Sequence, residues 1–323
     1  MMNQRTLGRT GLHVSEVGYG AWGIGRSMWM GAEDDASLQA LHRAIDLGLT
    51  FIDTALGYGD GHSERLVGQV VRERPETVHV ATKIPPANGV WPAAPGTPAD
   101  EAFPADHVRA STERSLENLG VDAIDVQQFH VWSDEWVGEG SWLQAVEQLK
   151  AEGLIRFFGV SINDHQPANA LKLVESGVVD TVQVIYNVFD QTPEDELLPA
   201  CAEHGVGVIV RVPFDEGGLT GRIEPDTTFP EGDFRNGYFR DDRPAQVFER
   251  TGRIVEDLGL TRDDLAETAL RYVLSHPAVS TVIPGMRSVR NVERNMAVAD
   301  GRGLPADQVQ RLHGHRWERN FYR

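Results

Sequence analysis

Four side chains in this sequence have the types and spacing that carbonyl chemistry needs. Asp53 closes the apolar run TFID, and Tyr58 follows five residues later in FIDTALGYGDGHSERLVG (51–68). Lys83 closes VHVATK (78–83), and His130 closes IDVQQFH (124–130). Turning a carbonyl into an alcohol places negative charge on oxygen, so a site must deliver a proton there. A free tyrosine is too weak an acid near neutrality, but a neighbouring ammonium stabilises its phenolate and lowers its pKa. Lys83 suits that task, Asp53 can hold the lysine as its counter-charge, and His130 can hydrogen-bond the carbonyl oxygen. Of the 30 basic side chains only Lys83, Lys150 and Lys172 are lysines. A compact, tunable ammonium fits the place after VAT better than a guanidinium fork. Each residue alone also has a plain structural reading: a turn aspartate, a rim aromatic, a solvated strand end, a core histidine. Their joint placement at successive strand ends points to chemistry.

These positions require a scaffold that brings separate strand ends to one face. Short β-branched runs alternate with amphipathic segments along the chain. The candidate strands are 15–20, 50–54, 78–83, 124–130, 156–161, 181–186, 206–211 and 279–283. Helices are expected near 33–47, 63–72, 105–119, 141–152, 167–176, 194–204, 245–275 and 287–296, with Ser63 capping the second and Pro167 opening the fifth. Eight strand–helix repeats predict an α/β fold of the closed (β/α)₈ barrel type, one domain over 1–323, whose strand C-terminal ends share the active face. GRTG (8–11) reads as a hairpin turn that plugs the barrel bottom, and the connections 84–104 and 214–244 are long enough to be functional loops. GYGAWG (18–23) matches a dinucleotide fingerprint, but no helix starts within it and Trp22 puts bulk at the phosphate approach. Its glycines read as a bend at the barrel rim.

Composition narrows the function classes. The chain has 323 residues, a single cysteine (Cys201), no apolar run of membrane-spanning length and no signal-like N-terminus. A soluble cytoplasmic protein is expected. A formal net charge of −18 argues against nucleic acid or an anionic membrane as partner and leaves a small molecule.

At its four polar residues the sequence resembles the aldo-keto reductase superfamily, over nearly the whole chain. FIDTALGYGDGHSERLVG resembles that family's segment around its aspartate and tyrosine, VATK its lysine strand, and QFHVW its histidine strand. The resemblance implies Tyr58 as general acid, Lys83 and Asp53 as its tuning pair, and His130 as the substrate-orienting residue. It also implies a nicotinamide cofactor, NADP(H) favoured and NAD(H) admitted, with no metal. Gly20 and Trp22 would line the cofactor site with Asp53, while Ser161, Asn163 and Gln183 would bind the carboxamide and Tyr186 would stack under the ring. RVPFDEGGLTGR (211–222) resembles the pyrophosphate belt, implying Arg211, Val212, Pro213, Phe214, Gly218, Leu219, Gly221 and Arg222 beside the cofactor. IPGMRSVRNVERN (283–295) resembles the adenosine-binding segment, with Gly285 and Arg287 at the ribose phosphate and Asn291 and Asn295 at adenine. A basic residue at 287 favours the 2′-phosphate of NADPH.

The substrate, an aldehyde or ketone in which sugars and keto-sugars are included, is expected above the nicotinamide. Trp22, Trp29, Tyr58, His130, Trp132 and Trp136 would wall it, together with the two long loops. The rival from another class is a cofactor-sensing regulatory subunit with slow turnover. A hydrolase using Asp53 lacks a second carboxylate at a strand end.

Overall fold

The computed structural model describes residues 2–322. A hairpin of β1 (Gln4–Thr6) and β2 (His13–Ser15) precedes eight parallel strands. These are β3 (Tyr19–Gly20), β4 (Phe51–Asp53), β5 (His79–Ile84), β6 (Ile124–Phe129), β7 (Ile155–Ser161), β8 (Thr181–Ile185), β9 (Gly207–Arg211) and β10 (Val279–Val282), each beside its neighbour in the chain. Bridges Val17–Val282 and Gly20–Gly285 join the two outer strands, so the sheet closes into a (β/α)₈ barrel. All eight expected barrel strands are present.

Strand alternation divides the barrel interior into layers. The lower layer is apolar: Phe51, Ala81, Val126, Ile209 and Ile283 pack on Leu7, Leu12 and Val14 of the hairpin. The GRTG turn therefore seals the bottom, with the Arg9 amide donating to Gly205 O at 2.6 Å. Two residues further along the same strands, the inward positions become Asp53, Lys83, Gln128, Ser161, Gln183 and Arg211. The sequence switches from oil to charge at one level of the barrel.

The helices depart from expectation at several places, among them the short helices Ala99–Ala102 and Arg235–Tyr238 inside the two long connections and a 3₁₀ turn, Pro167–Ala170, that opens the fifth. The expected 245–275 helix is two, Arg243–Leu258 and Leu265–Ser275. Gly259 adopts φ +68° to end the first, and a capping box between Thr261 and Asp264 starts the turn into the second. Ser63 is not a cap, because the helix begins at His62 after Gly61. Its buried hydroxyl instead bonds Ala21 O at 2.9 Å and the Thr54 hydroxyl at 2.8 Å, tying three segments below the mouth. A further helix, Ala306–His313, follows the barrel.

After that helix the chain crosses the top of the barrel. The Trp317 amide donates to Phe189 O at 2.9 Å, Arg319 pairs with Asp215, and the Tyr322 hydroxyl donates to Glu216. Glu216 is buried at φ +55°, and burial pushes its carboxyl up from 4.5 to about 7 despite the hydrogen bond from Tyr322.

Two outcomes follow for stability. A methyl group at Gly20 would lie 2.5 Å from Ile283 O, inside the closure of the barrel. Gly20→Ala is therefore expected to lose about 1–3 kcal/mol in urea unfolding, the usual cost of overpacking. The raised Glu216 pKa means that its favourable neutral form is present below the ordinary carboxyl value of 4.5 and is lost as pH rises through about 7. Glu216→Gln lacks that loss, so the melting temperature of the variant relative to wild type should be higher at pH ~8 than at pH ~5.

Candidate active site

The four polar residues named from the sequence meet at the C-terminal mouth of the barrel. Asp53 and Lys83 project inward from the adjacent strands β4 and β5, at the same layer. The Lys83 ammonium donates to Asp53 Oδ2 at 2.5 Å, to Thr54 O at 2.9 Å and to the Tyr58 hydroxyl at 3.2 Å. Tyr58 rides a turn closed by Gly61 N to Leu56 O at 2.8 Å and Ser63 N to Tyr58 O at 3.2 Å. The loop after β3 presses on this turn so closely that a Cβ on Gly59, at φ +68°, would overlap Gly25 O. Glycine there lets backbone meet backbone and fixes Tyr58 over the mouth. His130 follows β6, its amide bonded to Ile84 O at 2.9 Å and its ring edge-on to Tyr58 at 5.5 Å between centroids.

Asp53 is satisfied on its other oxygen as well. Oδ1 accepts from Gln183 Nε2 at 2.7 Å and from Gln128 Nε2 at 3.2 Å. Burial alone would push the Lys83 ammonium down, but Asp53 and Tyr58 outweigh it and hold it above its ordinary value. Burial raises the Tyr58 hydroxyl, and the charge and hydrogen bond of Lys83 pull it back only in part. The expected downward pull of Lys83 is present, yet desolvation wins and the net direction is upward. Burial, with the charges of Lys83 and Arg211, holds His130 well below the ordinary histidine value, so the imidazole is neutral at pH 7.

The walls correct the sequence reading. Trp132 and Trp136 are buried away from the mouth: the Trp132 indole donates to Asp134 Oδ1 at 2.9 Å and the Trp136 indole to Thr97 O at 2.7 Å. Trp132 meets Trp136 and Trp142 edge-on, and Trp142 meets Phe129 likewise, an aromatic cluster that braces the loop after β6. The mouth is instead walled by Trp22, Trp29 and Phe234, whose centroids lie 4.8–5.7 Å apart, and by Trp91, 4.4 Å from the His130 ring. Trp91 and Phe234 come from the two long loops, as the loop lengths suggested, but their identities were not foreseen.

The residues expected around a cofactor divide into those that share this face and those that do not. Ser161 ends β7 facing inward. Asn163 forms a pair of hydrogen bonds with the backbone of Ala93, at 3.3 and 3.4 Å. Gln183 faces inward on Asp53. Tyr186 does not join them: three residues beyond Gln183, it points outward, 1% exposed, and its hydroxyl donates to Glu194 at 2.5 Å beside Tyr272. Strand alternation is the reason. The inward position on the next strand is Arg211, held by Ile162 O at 3.0 Å and Asp164 Oδ1 at 2.7 Å. Val212, Pro213, Phe214, Gly218, Leu219 and Gly221 form the turn that follows, with Val212 at φ +55°. Arg222 lies further out, paired with Asp263 at 3.2 Å.

At the other side of the mouth, Gly20 serves barrel closure, and Trp22 begins the aromatic wall. Arg287 donates to Met30 O at 2.8 Å and lies against Gly23. Beside it stands Arg235, which the sequence did not suggest; burial and then the charge of Arg235 lower the Arg287 pKa. Gly285 borders open space, Asn291 is exposed and Asn295 is buried. Buried polar atoms without partners cluster on this face: the Tyr19 hydroxyl, Trp29 Nε1, Arg211 Nε and His130 Nδ1. Orphaned polar atoms, the guanidinium of Arg287 near that of the Asp233-paired Arg235, and a gap at Gly285 fit an elongated anionic ligand with hydrogen-bonding groups.

Comparison with known proteins agrees with this geometry. The model of the aldo/keto reductase family matches residues 16–316. The oxidoreductase YqkF of Bacillus subtilis (strain 168) is 30% identical over 320 residues, 97% of this chain and 96% of that protein. The NADH-specific methylglyoxal reductase of Escherichia coli (strain K12) is 28% identical, covering 92% of this chain and 93% of its own length. An aldo-keto reductase from Klebsiella pneumoniae solved in complex with NADPH is 27% identical and superposes with a TM-score of 0.67 over 97% of this chain and 94% of that one. With its barrel, its four clustered polar residues and these relatives, the chain belongs to the aldo-keto reductase family of nicotinamide-dependent oxidoreductases.

Proposed function

We propose that the protein reduces an aldehyde or ketone to the alcohol with NADP(H), and that Tyr58 gives the proton. The observation that carries this reading is the Lys83 ammonium, within hydrogen-bonding distance of Asp53 and Tyr58 at once. A nicotinamide held at this face would supply the hydride for the reduction. The oxygen gains charge as the carbon is attacked, and the Tyr58 hydroxyl transfers its proton to it. Lys83 stabilises the phenolate left behind, and Asp53 keeps the ammonium at that distance. His130 is neutral, so it can donate a hydrogen bond to the same oxygen without adding a charge to a site that already holds Lys83. Trp22, Trp29, Trp91 and Phe234 exclude water around the reacting atoms, which strengthens each of these interactions.

Cofactor residues on this reading are Ser161, Asn163 and Gln183 for the carboxamide, Arg211 beside the ring, and the 212–222 turn for the pyrophosphate. Gly285, Arg287 and the 291–295 helix face would take the adenosine end. Tyr186 drops out because its ring faces the outer helices. The Arg287 guanidinium, with Arg235 near it, favours the 2′-phosphate through charge-assisted hydrogen bonds to the dianion. The NADH-specific relative makes the preference a matter for measurement.

A panel of aldehydes, ketones, aldoses and keto-sugars, followed by absorbance with NADPH and then NADH, tests the reading. Turnover is expected with at least one class, with the higher kcat/KM for NADPH. Tyr58→Phe should lower kcat by about 10²-fold or more, the range of a lost general acid, while binding the cofactor as wild type does. Reduction at the wild-type rate by that variant would remove Tyr58 from the mechanism. Uniformly slow turnover with tight cofactor binding would point to a regulatory subunit. Because His130 titrates well below its ordinary value of 6.5, the pH profile of kcat/KM should carry no limb near that value.

A further inference from the structure

Arg211 ends β9 in the same inward layer as Asp53, Lys83, Gln128 and Gln183, a half-buried cation where the resemblance had placed the ring of Tyr186 one strand earlier. Two contacts hold its guanidinium, Ile162 O and Asp164 Oδ1, both on the loop that follows Ser161. Asp164 engages only one terminal nitrogen, and Nε is buried with no partner. The charge is therefore anchored at one edge and not cancelled around the group. Its field reaches the centre of the site: after burial and the charge of Lys83, Arg211 also lowers the His130 pKa, and it adds to the pull of Lys83 on Tyr58.

The two redox forms of a nicotinamide differ by one positive charge on the ring. A dihydronicotinamide is neutral and electron-rich, which a guanidinium attracts through its π face; the oxidised pyridinium is a cation, which a guanidinium repels. We infer that Arg211 makes this site discriminate between redox states, binding the reduced cofactor more tightly than the oxidised one. A reductase gains from this in turnover, because the spent, oxidised cofactor is the form the site holds less well. Asp164 tempers the effect by neutralising part of the guanidinium charge. The inference rests on the reading that a nicotinamide cofactor binds at this face.

Equilibrium binding of reduced and oxidised cofactor to the full-length protein tests it, with NADPH followed by its fluorescence and NADP⁺ by competition. The quantity read is the ratio of Kd for NADP⁺ to Kd for NADPH, which a purely structural role would leave unmoved. Wild type should give a ratio above one. Arg211→Gln should lower the ratio by about fivefold, the scale of one partly desolvated cation–π contact. Asp164→Asn, which leaves the cation in place and removes its counter-charge, should raise it. If Arg211→Gln does not fold, Asp164→Asn decides alone. A ratio that stays within about twofold of wild type in the folded variants, or that falls in Asp164→Asn, overturns the role of Arg211. Absence of binding by either form to the wild type would instead overturn the cofactor reading, and this inference with it.

Discussion

A carboxylate and an ammonium buried together in the middle of a barrel set the terms for everything around them. Lys83 is fully buried and Asp53 nearly so, and ions so placed lose several kcal/mol of hydration each unless every hydrogen-bonding position is taken. The structure fills all three positions on Lys83 and three on Asp53. Asp53 receives Lys83 on one oxygen and both Gln128 and Gln183 on the other, while Lys83 spends its remaining protons on Thr54 O and Tyr58. The upper barrel layer is polar because of this pair, and the lower layer is apolar apart from the buried Thr181 hydroxyl, because the pair is confined above it. Gln183 consequently has two demands on one side chain: it completes the shell of Asp53 and stands among the groups that would meet a nicotinamide carboxamide.

The mouth above that layer is built by separate means. Main-chain and side-chain bonds clasp the loop after β3 to the long loop after β9: the Phe234 amide donates to Met28 O at 3.0 Å, and the Met30 amide to Asp233 at 3.3 Å. The loop after β5, which carries Trp91, is tied by Ala93 to Asn163 at the end of β7. Asp53 and Lys83 rest on strands and Tyr58 on the tight turn after β4, while the shape of the opening rests on the loops after β3, β5 and β9, fastened to one another or to the end of β7. Loop substitutions can thus change what enters without disturbing the proton path.

Much of this was written plainly in the sequence. The eight strands were legible because β-branched runs recur between amphipathic segments, and the four central residues because they stand at strand ends or just past one. The errors have equally physical causes. Tyr186 lies three residues from Gln183, an odd step on a strand, so the two cannot share a face; simple alternation excluded what resemblance suggested. Trp132 and Trp136 sit just past a strand end, where a short 3₁₀ turn folds them back onto Trp142, and nothing in composition marks that reversal. Gly259 followed by Thr261 and Asp264 was a readable stop and restart that a long periodic helix hid. Gln128 was visible in IDVQQFH, two residues before His130 and so on its face. Trp91, Phe234 and Arg235 lie in irregular loops, where no period relates position to direction.

The scarcity of lysine reaches beyond the site. Lys83 is fully buried, so the accessible side-chain amines are those of Lys150 and Lys172. Lys150 sits on the helix before β7 and Lys172 on the helix after it, neighbouring positions on one flank of the barrel. Side-chain amine chemistry used to tether this molecule to a surface would therefore grip that flank.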